Sequence, residues 1–470
     1  MILSGISMLT RDQARNDAYT AFKSGDFDRA QWFAQQVLEQ GEEAGMLKLL
    51  GAIFAGRMNW PESLVHYLAA IEVDPQDAEA WNNAGVVWQK AGKLDDARRF
   101  VNRAIVLDPN YAQAFFNLGN LAGLQGEPDV AAAAYQRSID LNPDHLPSYT
   151  NLGRLLQASG DLDRAAGLYR EVIQRSTNLG KPIAADTYVN LGNALQLMGS
   201  LEAAKLQYEK AIKQYPYDAR LPHNLGLLYR QLGDRETAKV YYLLALKLDG
   251  TAAATHHQLG LLLQAEGQTD LAIAHLQQAL SYAETDAAAW QTLGRLWCMK
   301  DDWGSGAGCL ERAIALEPEF AEAHWDLGRV LLKLGQWDRG WQECEWRWQA
   351  QTYLAQQLPR HRKIDRWDGR EIKGQKLLVW TEGTADQVKR LAPFLAQIKG
   401  ATIVVECEPD LQVFFQTMPV VSQVIARGEK VPMVDWQMPI GSVVALTRSE
   451  PLEEGPMGEF WALNDMIEYP

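Results

Sequence analysis

Residues 78–111 read AEAWNNAGVVWQKAGKLDDARRFVNRAIVLDPNY, and residues 112–145 read AQAFFNLGNLAGLQGEPDVAAAAYQRSIDLNPDH. Laid one over the other, Trp81 meets Phe115, Ala84 meets Leu118, Gly85 meets Gly119, Gly92 meets Gly126, Ala97 meets Ala131 and Pro109 meets Pro143, each 34 residues on. A third copy carries Tyr149, Leu152, Gly153, Leu156, Gly160 and Ala165. Self-similarity at such a period marks stacked supersecondary units, none of which can bury its apolar face alone.

The register extends in both directions. A short insertion around 176–182 shifts the phase by five, after which Tyr188, Leu191, Gly192, Leu195, Gly199, Ala204, Tyr208, Ala211 and Pro216 resume it. Leu225-Gly226, Leu259-Gly260, Leu293-Gly294 and Leu327-Gly328 come next at spacings of 34. Upstream, Gly51 with Pro75 and Gly25 with Ala30 mark two more units, for ten between about residues 11 and 350. The residue types give each unit a shape. Gly at position 15 makes a tight turn between two helices. Gly at position 8 and the mostly Ala position 20 sit where those helices press closest. Aromatic and aliphatic residues at 4, 7, 11 and 24 fill the space between, and Pro at 32 stops the second helix.

This pattern resembles the tetratricopeptide repeat. The resemblance implies a mainly α fold, a right-handed superhelix of about ten helix pairs whose concave groove is lined by the first helices at positions 2, 5, 6, 9, 12 and 13. Position 6 reads Asn83, Asn117, Asn151, Asn190 and Asn224. Position 12 reads Gln89, Gly123, Gln157, Gln196, Arg230 and Gln264, and position 9 adds Asn120, Arg154 and Asn193. An amide offers a donor and an acceptor, which an extended peptide backbone also needs at regular rise. The repeat arrays of O-GlcNAc transferases look similar, with an asparagine ladder at the same position. By that resemblance the five asparagines, with Gln89, Gln157, Gln196 and Gln264, are the candidate peptide contacts. The same asparagines also suit local helix packing, and the sequence leaves both readings open. Phe116, His223, His257 and Trp325 at position 5 would supply side-chain choice.

Past Gly328 the character changes. Trp337, Trp341 and Trp348 form an aromatic stripe at helical spacing, read as a cap sealing the end of the array against the next domain. Residues 351–372 read as a polar linker with Arg360, His361, Arg362, Lys363 and Trp367. From 373 onward, Lys376–Trp380 and Thr402–Cys407 read as buried strands, 385–398 and 410–416 as helices, and Val420–Ile425 and Ser442–Leu446 as further short strands: a small α/β lobe with a parallel sheet. Trp337, Gly340, Trp341, Glu345 to Trp348, Trp367, Gly369 and Gly374 to Leu378 resemble the junction and first lobe of bacterial repeat-containing glycosyltransferases. That family's strand end is glycine-rich, whereas here it is Glu382-Gly383-Thr384-Ala385-Asp386, with Ala385 where a glycine is expected. The resemblance implies a transferase lobe, and residues 373–470 suffice for one such lobe and not two. Glu382 and Asp386 mark either an active-site strand end or a solvated turn. The segment from Pro451 to Pro470 shows no second nucleotide fold.

Bulk composition narrows the function. With 45 Lys and Arg against 59 Asp and Glu, the net charge of −14 disfavours a nucleic-acid partner. Cys298, Cys309, Cys344 and Cys407 form no CxxC pair, in keeping with a reducing compartment. The N-terminal MILSGISMLTRDQAR lacks a signal-peptide pattern and no long apolar run suggests a membrane span, so the cytoplasm is expected. Gly304 to Gly308 falls inside a repeat with no strand before it, and His256-His257 point about 100° apart on a first helix, awkward for joint metal ligation. No P-loop, HExxH or GxSxG is present. The expectation is therefore a scaffold that binds a protein or peptide, with no cofactor and no chemistry of its own. The alternative is a glycosyltransferase-like protein for protein O-glycosylation, either truncated or needing another chain to bind its sugar nucleotide.

Overall fold

In the computed structural model of the chain, residues 10–350, 361 and 363–447 are described. It divides into two compact units, Met1–Leu228 and Tyr229–Pro470. Among the described residues, twenty helices, two to a repeat, precede a small four-stranded sheet.

The first unit holds α1 (Arg11–Lys23), α2 (Phe27–Leu38), α3 (Ala44–Gly56), α4 (Trp60–Val73), α5 (Ala78–Lys90), α6 (Leu94–Leu107), α7 (Ala112–Leu124), α8 (Pro128–Leu141), α9 (Leu146–Ala158), α10 (Leu162–Asn178), α11 (Ala185–Leu197) and α12 (Leu201–Gln214). Ala97, Ala131, Ala165 and Ala204 are fully buried where the two helices of a pair cross. Facing them is the position-8 glycine. A Cβ at Gly153 would lie 2.7 Å from the ring of Tyr169, and one at Gly192 2.3 Å from that of Tyr208. Second helices are closed by a side chain at position 31: Asp74, Asp108 and Asn142 accept from the backbone N–H two residues on, capping the turn that the following proline begins. The insertion expected at 176–182 lengthens α10 to 17 residues before Gly180 turns the chain at φ +62°.

The unit boundary falls within α13 (Arg220–Gln231). The second unit continues with α14 (Arg235–Leu248), α15 (Ala253–Ala265), α16 (Thr269–Tyr282), α17 (Ala287–Met299), α18 (Trp303–Leu316), α19 (Ala321–Lys333) and α20 (Trp337–Cys344), then a 3-10 turn, Glu345–Trp348. Strands β1 (Lys376–Trp380), β2 (Thr402–Cys407), β3 (Val421–Ala426) and β4 (Trp436–Pro439) pair in parallel in the order β3-β2-β1-β4. Two expectations need correcting. Ser442–Thr447 is a helix, and the fourth strand lies earlier, at Trp436. A short apolar run carries no period that separates strand from buried helix. The helix expected over 385–398 stops at Leu391 and tightens into a 3-10 turn, since Pro393 lacks a donor for the α ladder.

One core spans the last repeat and the sheet. Trp325, Leu332, Trp341 and Cys344 pack with Leu377, Val379, Val388, Leu391 and Val443, and Trp337, Trp346 and Trp348 lie partly buried against them. The tryptophan stripe thus closes the array by entering the core of the lobe. The tail from Pro451 and most of the expected linker lie outside the described residues.

Candidate partner-binding groove

Within the first unit, first helices of neighbouring repeats touch, α5 against α7 and α9 against α11. This brings positions 6, 9, 12 and 13 of successive repeats into one row. A cavity of about 480 Å³ opens there, lined by Gln89 of α5, Asn120, Gly123 and Leu124 of α7, and Asn151, Arg154, Leu155 and Ala158 of α9, with Tyr135 of α8 at its floor. Leu124 is 61% exposed, an apolar side chain beside a polar wall. Arg154 is exposed and pairs with no carboxylate among the described residues.

The amides are largely engaged with one another. Asn117 is 6% exposed and donates to Asn82 Oδ1 of the preceding repeat at 2.8 Å. Asn151 donates to Asn120 Oδ1 at 2.9 Å, again across repeats. Asn83 Oδ1 accepts from Asn82 at 3.2 Å. Asn190 and Asn224 are half-buried on α11 and α13, Gln157 and Gln196 half-buried on α9 and α11, and Gln264 half-buried on α15 in the second unit. The structure therefore brings Gln89 and Asn151 into the cavity and ties Asn117 into the packing between repeats.

A row that sequence reasoning treated only as filler, the tyrosines at position 24, reaches the same side chains. Tyr135 donates to Asn120 Oδ1 at 2.9 Å, Tyr169 to Gln157 Oε1 at 3.2 Å and Tyr208 to Asn193 Oδ1 at 2.6 Å. Burial pushes all three phenols up, that of Tyr169 to about 12, so each remains a donor at neutral pH. Their recurrence at the repeat interval was the available signal.

The strand ends of the lobe form a second cluster. Arg347 is fully buried, and its Nη2 donates to Ser442 Oγ at 2.7 Å and to Glu382 Oε1 at 3.4 Å; its Nη1 reaches Glu345 at 2.6 Å. Arg366 also pairs with Glu345. Although burial works against its charge, Glu345 is held below the usual carboxylate range by Arg347 and Arg366. Glu406, the penultimate residue of β2, accepts from His361 at 2.7 Å. Glu382 is thus occupied by the chain's own cation, while Asp386 is exposed in the first turn of the helix that Thr384 and Gln387 cap reciprocally. His256 and His257 turn to different partners, His275 and Asp286. Among the described residues, no group of three or more His, Cys, Asp or Glu is placed to hold a metal, and no helix is long and apolar enough to cross a membrane.

Family models described as tetratricopeptide repeat match residues 54–112, 89–145 and 300–341, 144–216, and 219–251 and 253–286. Together they cover more than half of the sequence, and the chain belongs to the tetratricopeptide-repeat family. That is a solenoid fold typical of proteins that bind other proteins. No curated protein matches the sequence significantly. Among solved structures, a chain of the APC/C hetero-tetramer Cut9-Hcn1 is similar at 18% identity, with 69% of this chain and 67% of that one covered and a TM-score of 0.44. MamA is similar at 23% identity, covering 35% of this chain and 96% of its own, TM-score 0.32. YrrB, a TPR protein with an unusual peptide-binding site, is similar at 24% identity, covering 41% and 97%, TM-score 0.31. At such values these likenesses carry no argument about what this chain binds.

Proposed function

We propose that this protein is an interaction scaffold whose first unit holds an extended segment of a partner protein along α5, α7, α9 and α11. The observation that carries this reading is the cavity spanning three successive first helices, where amides, a guanidinium with no carboxylate partner among the described residues and an exposed leucine face the same space. Extended segments suit such a row because their backbone groups and alternate side chains recur at regular rise. The strand-end carboxylates of the lobe support the scaffold rather than a transferase. Glu382 and Glu345 close on Arg347 and Arg366, which ties the lobe to the last repeat instead of leaving a charged cleft. In this reading the lobe caps the array.

The test is retention of a partner by the full chain and by a Leu124→Asp variant, compared in parallel. The substituted side chain is solvent-exposed, so the fold should be kept. Loss of the partner from the variant alone is expected; equal recovery would contradict a binding site in the groove.

A further inference from the structure

The groove amides are not neutral with respect to polarity. Asn120 Oδ1 accepts from both Tyr135 and Asn151, which fills its two lone pairs. What Asn120 has left for the cavity is its NH2. The same orientation recurs where Tyr169 holds Gln157 Oε1 and Tyr208 holds Asn193 Oδ1. At Asn120, Gln157 and Asn193 the amide oxygens are thus spent inward on phenols from the second helices, whereas Asn151 gives its NH2 to Asn120 and keeps its oxygen. In the same cavity Arg154 adds a cation with no pairing carboxylate among the described residues. Across positions 5, 6, 9, 12 and 13 of α5, α7, α9 and α11 there is no Asp or Glu, in a chain whose net charge is −14, and the two acids at position 2, Glu79 and Asp186, are paired with Lys48 and Arg220.

We propose that Asn120, turned by Tyr135, and Arg154 together make this cavity of the first unit a donor site selective for an acidic, acceptor-rich extended segment, with Arg154 as its charged anchor. This rests on the groove being the binding site and adds the chemistry of what it takes. The side chain that meets Arg154 is a carboxylate, and a neighbouring apolar side chain covers Leu124 and Leu155. Tyr135 acts as a positioning residue, through Asn120.

The experiment pans a random 12-residue peptide library displayed on phage against the immobilised full-length protein. Selected sequences are then made as free peptides, each with a counterpart in which Glu and Asp become Gln and Asn. Enrichment of Asp and Glu is expected, with the acidic form binding about tenfold more tightly than its amide counterpart. Arg154→Gln should erase most of that ratio. Tyr135→Phe should reduce it, a readout that a merely structural tyrosine would leave unchanged. Peptides without acidic enrichment that still need Leu124 would overturn this inference and leave the groove reading standing. Peptides indifferent to Leu124→Asp, or none selected at all, would overturn both.

Discussion

At the scale of single residues, the amide ladder divides into side chains that hold repeats together and side chains left for a ligand. Asn117 belongs to the first kind. Replacing it with Ala leaves the Asn82 oxygen buried without that donor, at a cost of about 1–3 kcal/mol. Chemical denaturation of the N117A variant should show this loss, whereas a residue serving only as a ligand contact would leave stability unchanged. The sequence located these amides by their period but not their engagements, because a hydrogen bond from one repeat to the next depends on rotamer and tilt, which spacing does not encode. Protonation adds a second residue-scale expectation. Burial lowers the His66, His145 and His223 pKa values, and burial with the neighbouring His256 lowers that of His275, all from 6.5. The unfolded chain then binds more protons than the folded one between the lowered values and 6.5. The stability these groups contribute is full above 6.5 and is lost as pH falls through the folded values. The thermal midpoint should drop on acidification from pH 7 to 5, and His275→Gln should flatten that drop.

At the scale of elements, the repeat is written by a few obligatory positions, and these were legible. Position 15 shows why. Gly92, Gly126, Gly160 and Gly199 all sit at positive φ, between +74° and +86°. Two units fill that position with another residue, and the backbone does not change: Met58 adopts φ 58° and Asp301 φ 59°. A side chain costs about 1 kcal/mol or more there. Met58→Gly and Asp301→Gly should each raise stability by about that amount in denaturant titrations; a loss would show that these side chains make compensating contacts. A second device sits at position 4, where Trp81, His256, Trp290 and His324 each reach the backbone carbonyl six residues earlier. The aromatic character of position 4 was read as packing, yet at these four positions it also satisfies a carbonyl in the turn between repeats. The short lobe elements were less legible. β1 and β2 follow from their apolar runs, while Trp436–Pro439 and Ser442–Thr447 are too short for periodicity to distinguish.

At the scale of the whole molecule, each compact unit has its own logic. In the second, Trp325 and Trp341 of the last repeat share a core with β1 and its following helices, and Arg347 bridges Glu345, Glu382 and Ser442. The last helix pair and the lobe should therefore unfold together. Trp341→Ala, which empties a large buried volume at a cost of about 3–5 kcal/mol, should make both susceptible to protease at once. Cleavage confined to the lobe would show that they are separable. That coupling was hidden from the sequence because the pairing residues stand up to 97 positions apart, as in the bond from Ser442 to Glu345.

In the first unit the central claim is that the partner lies along the first helices. Site-specific photocrosslinking tests it most directly, with a photoreactive residue placed at Leu124 in the groove or at Val106 on α6, which are 61% and 67% exposed. A peptide selected for tight binding should crosslink from position 124 and not from position 106. Crosslinking from 106, or equally from both, would contradict a groove-bound partner.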